Sequence, residues 1–115
     1  MIVELVGLEV FGHHGVDDDE REVGRQYLYD VALEIDEPRL DTVESTVDYR
    51  AVAACVREVS DARQFRLVES LAAAVADELA SRFPAARVRV RVRKPGIRPS
   101  GLAVDYSAAT AERDR

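Results

Sequence analysis

The chain has 115 residues, enough for one domain with one core and too few for two. A hydrophobic fraction of 47% beside 33% charged residues describes a globular protein with a well-solvated surface, and no apolar run approaches the ~20 residues that span a bilayer. The net charge of −6 argues against nucleic acid as the main partner, because phosphate recognition rests on clustered cations.

The start, Met1-Ile2-Val3-Glu4-Leu5, lacks the basic opening and small-residue cleavage site of a secretory signal, so a cytoplasmic location is expected. The single cysteine, Cys55, falls at an apolar helical position and reads as a small core residue. Two histidines, adjacent at His13 and His14, and one cysteine match no standard zinc spacing, so no metal is expected.

Residues 2–11 are rich in Val, Leu, Ile and Phe and predict a strand. Residues 12–24 carry glycines and a run of acids that cannot bury much surface, which predicts a long loop. From 26 to 36 the pattern alternates cleanly. Tyr27, Tyr29, Val31, Leu33 and Ile35 share one side and Asp30, Glu34 and Asp36 the other, the mark of a half-buried strand. A polar stretch containing Pro38 leads to Val47-Asp48-Tyr49, which opens a helix. Asp48 can cap the free backbone donors there, and Ala51, Val52, Cys55, Val56 and Val59 follow at helical spacing.

A second helix begins near Leu67, where Leu67, Leu71, Val75, Leu79 and Phe83 step by four, with Val68 and Ala72 alongside. Pro84 ends it. Glu69 stands in its first turn, where a carboxylate favours the positive end of the helix dipole and can lie half-buried at the packing seam. Val88, Val90 and Val92 then alternate with Arg87, Arg89, Arg91 and Arg93 in a third strand closed by Lys94-Pro95-Gly96. A last strand starts at Gly101, with Leu102, Val104, Tyr106 and Ala108 towards the core, and residues 111–115 are expected to fray. The arginine row calls for cross-strand acids, and Asp30, Glu34 and Asp105 are the candidates. With the tyrosines assigned to the apolar face, this sheet lacks the exposed aromatics of an RNA-binding surface.

The predicted fold is therefore α+β: one domain over residues 1–110, a four-stranded antiparallel sheet with two helices on one face, ordered strand, strand, helix, helix, strand, strand.

Four short stretches now stand in a definite order: His14-Gly15-Val16 with Glu20 and Gly24 after it, Thr46-Val47-Asp48-Tyr49, Leu67-Val68-Glu69-Ser70-Leu71-Ala72, and Lys94-Pro95-Gly96. Together they resemble the dihydroneopterin aldolase family of folate biosynthesis, from about Ile2 to Ala108. The resemblance implies a tunnelling fold, with subunits joining their sheets into a barrel ring and two rings stacking as a homo-octamer. It also implies a pterin bound at the seam between subunits, with neither metal nor organic cofactor. On this resemblance Glu69 is the pterin anchor, Val68 a further pterin contact, Lys94 the catalytic lysine and Glu20 an active-site glutamate. Tyr49 is the tyrosine that reaches the substrate from the adjacent subunit.

The implied reaction is retro-aldol cleavage of dihydroneopterin to hydroxymethyl-dihydropterin and glycolaldehyde, possible epimerisation sharing the same intermediate. The alternatives are an epimerase of dihydroneopterin triphosphate and a non-catalytic pterin-binding oligomer. The chain departs from the family at Arg25 after Gly24, in the short Gly96–Ser100 segment, and in a last strand without an Ile-x-Arg ending. Arg98 near the pocket would suit a more anionic substrate.

Overall fold

In the computed structural model, which describes residues 1–115, every predicted strand and both long helices form. The elements run β1 (Ile2–Gly12), α1 (Asp18–Val23), β2 (Arg25–Glu34), α2 (Tyr49–Ala62), α3 (Val68–Arg82), β3 (Arg87–Pro95) and β4 (Tyr106–Asp114), with short 3-10 turns at Val43–Ser45 and Pro99–Gly101. The sheet order is β1-β2-β3-β4 and every neighbouring pair is antiparallel.

The alternation in β2 is realised as read: Tyr27, Tyr29, Val31 and Leu33 are buried, with Ile35 just beyond the strand end. Val88, Val90 and Val92 join them from β3. The helices cover this face through Val52, Cys55 and Val56 of α2 and through Leu71, Ala72, Val75, Ala76 and Leu79 of α3. Asp48 caps α2 by accepting the backbone N–H of Arg50 at 2.9 Å. In β1 the inward residues Leu5 and Leu8 are an odd number apart. The strand corrects this with a bulge, in which Val6 and Gly7 together oppose Asp30. Gly7 takes φ +72° there, and its N–H donates to the Asp30 carboxylate at 2.9 Å.

Three expectations are overturned. The stretch from 12 to 24 is not all loop: Asp18–Val23 form α1, whose first turn holds Asp18, Asp19 and Glu20 where the helix dipole favours acids. Arg21 secures it with bonds to Asp18 and to the carbonyls of Gly15 and Val16, and Gly24 ends it at φ +72°.

The last strand starts later than Gly101 and uses other residues inward. Leu102 and Val104 are exposed in the link before β4, and the small residues Ala109 and Ala111 pack on the core instead. Tyr106 sits on the arginine face, its hydroxyl accepting from Arg91 at 2.7 Å.

Nor does the tail fray. β4 continues to Asp114, opposite Arg87, and Arg113 reaches Asp77 of α3 at 2.6 Å. The tail also supplies partners for the arginine row, Asp114 for Arg87 at 2.8 Å and Glu112 for Arg89 at 3.4 Å, while Arg93 pairs with Asp30 at 2.8 Å. Asp105, expected in that role, lies outside the strand.

Candidate functional site

The strand and helix directions fix where chemistry gathers. β1 and β3 end at one end of the sheet, and β2, β4 and α3 begin there. A cleft of about 190 Å³ opens at that end, lined among others by His14, Gly15, Val68, Glu69 and Lys94. Three motifs that are distant in sequence therefore meet in one place.

Lys94 is the penultimate residue of β3, so its side chain leaves the sheet where the strand stops. Its ammonium donates to Glu20 Oε2 at 2.6 Å, with both side chains largely covered. The Lys94 bond is the main cause that holds the Glu20 carboxyl below the usual glutamate range, against the opposing effect of burial. Glu20 reaches Lys94 because α1 turns it back over Gly15. A Cβ on Gly15 would lie 2.6 Å from the Glu20 Cβ, so only glycine permits this approach. Arg25, one of the departures noted above, donates to the Pro95 carbonyl at 2.9 Å and so fastens the end of β3 beside Lys94.

The opposite wall is the start of α3. Leu67 takes the N-cap position without a side-chain cap, so the first turn offers free backbone N–H groups beside Val68 and Glu69. Glu69 is exposed rather than half-buried as expected, because in the single chain nothing covers the first turn on that side. None of the ion pairs engages its carboxylate.

Tyr49 is not brought to this cleft. It stands 61% exposed in the first turn of α2. That helix has 14 residues and is about 21 Å long, and only its C-terminal end leads towards Phe65 and the cleft. A larger groove of about 300 Å³ lies at Tyr49's end of the molecule, lined by Glu44, Thr46 and Val47 among others; it contains none of Glu20, Glu69 and Lys94. Arg98 does not line the cleft, whereas Arg66 and Ser107 do. Sequence reasoning missed both: Arg66 precedes the helix without any periodic signal, and Ser107 depended on a strand register that was misassigned. No group of three His, Cys, Asp or Glu side chains lies close enough to hold a metal ion.

The fold and cleft define a class first: an α+β sheet domain with a carboxylate–ammonium pair facing a free carboxylate on a helix N-terminus. Comparison with known proteins narrows the class. A family model described as dihydroneopterin aldolase (FolB) matches residues 3–111. The dihydroneopterin aldolase of Methylorubrum extorquens is 33% identical over 112 residues, covering 94% of this chain and 85% of that protein. The one from Streptococcus pyogenes serotype M1 is 30% identical over 119 residues, covering 98% and 96%. The crystal structure of E. coli dihydroneopterin aldolase in complex with neopterin superposes with a TM-score of 0.89 at 28% identity, covering 98% of each chain. The chain belongs to the dihydroneopterin aldolase family.

Proposed function

We propose that this chain is a dihydroneopterin aldolase, a cofactor-independent carbon–carbon lyase of folate biosynthesis. The observation that carries the reading is Lys94, bonded to Glu20 at 2.6 Å and lining one cleft with the unpaired carboxylate of Glu69.

A pterin presents an amino group and an adjacent ring N–H as parallel donors, and one carboxylate accepts both in a planar, charge-assisted pair. Glu69 suits that task, with Val68 beside it. Cleavage then needs a proton removed from the side-chain hydroxyl whose carbon becomes the aldehyde carbonyl. As the C–C bond breaks, its electron pair passes into the neighbouring C=N of the dihydropterin, whose nitrogen takes up a proton. The resulting enamine carbon is finally protonated, giving hydroxymethyl-dihydropterin beside glycolaldehyde. Because the substrate supplies the electron sink, the protein has to supply proton transfers and placement. Lys94 with a water, assisted by Glu20 and Tyr49, is the group that fills this role.

Tyr49 fills it only from a second copy, at a site completed by the neighbour. Several features support that arrangement. The cleft of about 190 Å³ is smaller than the ~300–1,000 Å³ of usual small-molecule sites. Both edge strands, β1 and β4, lack an outer partner. The Cα radius of gyration, 15.1 Å, exceeds the ~13 Å of a compact chain of this length. A ring of joined sheets, doubled to an octamer, satisfies all three, with the arginine row turned into the central tunnel. No helix is long and apolar enough to cross a membrane, and we place the enzyme in the cytoplasm with its pathway.

The test is product analysis after incubation with dihydroneopterin, for the wild type, Lys94→Ala and Glu69→Ala. Hydroxymethyl-dihydropterin and glycolaldehyde from the wild type alone are expected. Pterin binding without either product would replace the aldolase with a non-catalytic binding protein. One observation favours a second reading: Arg66 lines the cleft and joins no ion pair, which suits a phosphorylated side chain. Turnover of dihydroneopterin triphosphate to its epimer, in preference to cleavage of the free pterin, would establish it.

A further inference from the structure

His14 has no assigned task, yet it is the most heavily constrained polar side chain in the molecule. It is 3% exposed, and both ring nitrogens are engaged. The backbone N–H of Phe65 donates to Nδ1 at 2.9 Å, so Nδ1 carries no proton. Nε2 must then bear the hydrogen and donates it to Ser60 Oγ at 2.9 Å. One neutral tautomer is thereby selected, and neither nitrogen is left for a substrate.

The same residue is tied by its backbone. Its carbonyl accepts from the Tyr27 hydroxyl at 3.0 Å, and the next N–H, of Gly15, donates to the Phe65 carbonyl at 2.9 Å. The ring stands edge-on to Tyr27 and to Phe65, with centroids 5.4 and 5.5 Å away. Residues 14–15 and residue 65 are thus joined by a side-chain bond in one direction and a main-chain bond in the other.

The two partners belong to different walls of the cleft. Gly15 lies under Glu20, which holds Lys94. Phe65 stands four residues before Glu69 in the short connector that launches α3. We propose that His14 is a positioning residue: its neutral imidazole, keyed between the Phe65 N–H and the Ser60 hydroxyl, sets the separation of the Glu69 carboxylate from the Glu20–Lys94 pair. A ligand gripped by one wall and worked on by the other is sensitive to that separation, since a misplacement of about 1 Å can cost roughly a hundredfold in rate. The assignment rests on the aldolase reading for its kinetic consequence but not for its structural one.

The test uses His14→Asn, His14→Gln and His14→Phe in the full chain, with neopterin binding, KM and kcat for dihydroneopterin, and the melting temperature. Asn places a carbonyl oxygen near the position of Nδ1 and keeps the Phe65 bond; Gln reaches towards Ser60; Phe fills the volume without an acceptor. Folded Phe and Gln variants are expected to bind neopterin about tenfold or more weaker, with KM raised in step, while Asn stays within about threefold of the wild type. A purely structural role would lower the melting temperature and leave Kd and KM of the folded protein unchanged, and that result overturns the proposal. So does an Asn variant no better than Gln.

Nitrogen-15 NMR of the wild type decides independently should the Phe variant fail to fold. A proton on Nε2 and none on Nδ1 at neutral pH is expected, and the opposite tautomer or an imidazolium would refute the keying. Binding and NMR need no turnover, so failure of this inference is distinguishable from failure of the aldolase reading.

Discussion

Gly15→Ala puts the design of the cleft to a quantitative test. A Cβ at this position would meet the Glu20 Cβ at 2.6 Å and its Cδ and Oε2 at 2.9 Å, against an ordinary contact limit of 3.4 Å. Glu20 must therefore retreat by roughly 0.5–0.8 Å, the difference between those distances. Its bond to Lys94 is 2.6 Å and charge-assisted, a type worth about 1.5–3 kcal/mol. Losing half or more of it amounts to ~1–2 kcal/mol, or about 5–30-fold in kcat/KM. Separately, Gly15 adopts φ +145°, which costs another residue about 1–3 kcal/mol and lowers the melting temperature by roughly 4–12 °C. The assay is a double-mutant cycle on kcat/KM for dihydroneopterin with Gly15→Ala, Glu20→Ala and both. The double variant should be no slower than Glu20→Ala alone, because the glycine acts through the glutamate. Losses that multiply would refute the reasoning.

The tail and the buried histidine give two further expectations. Removing residues 111–115 deletes Ala111 from the packed face, together with the partners of Arg87, Arg89 and Asp77, so thermal denaturation should show a loss of ~1–3 kcal/mol, where a frayed tail would show none. Burial holds His14 below the ordinary histidine value, reinforced by His13 and opposed by Asp61; Tyr27 of β2 also faces it. The unfolded chain then binds the proton first, so stability is full above about pH 6.5 and falls as the pH drops towards the folded value. Melting curves from pH 7.5 to 5 should show this slope, and His14→Phe should flatten it.

Much of the fold was legible because β2, β3 and α3 each bury one face with an unmistakable period, Tyr27 to Leu33, Val88 to Val92 and Leu71 to Leu79. The errors arose where a local pattern had two solutions. Leu102, Val104 and Tyr106 alternate as well as Ala109 and Ala111 do, and the choice is made by which residues meet α3 and by the acids that answer Arg87 and Arg89. A six-residue helix such as α1 has too little periodicity to be seen, and it is held by Arg21 side-chain bonds to the carbonyls of Gly15 and Val16, which leave no mark in the hydrophobic pattern. Of the site, Val68, Glu69 and Lys94 line one cleft and Glu20 is bonded to Lys94, a juxtaposition that no single stretch of the sequence displays. The keying of His14 escaped notice because its partners, Ser60 and Phe65, are 46 and 51 residues away.

The length of α2 also reaches into genetics. Tyr49 opens a helix of 14 residues, about 21 Å long, and does not line the cleft that holds Lys94 in its own chain, so each proposed site draws on two copies of the chain. A cell carrying one allele altered at Tyr49 and another altered at Lys94 would assemble some seams with both defects and others with neither. Two alleles that are silent alone would then complement when co-expressed, whereas two alleles altered at Lys94 and Glu20, which share a wall, would not.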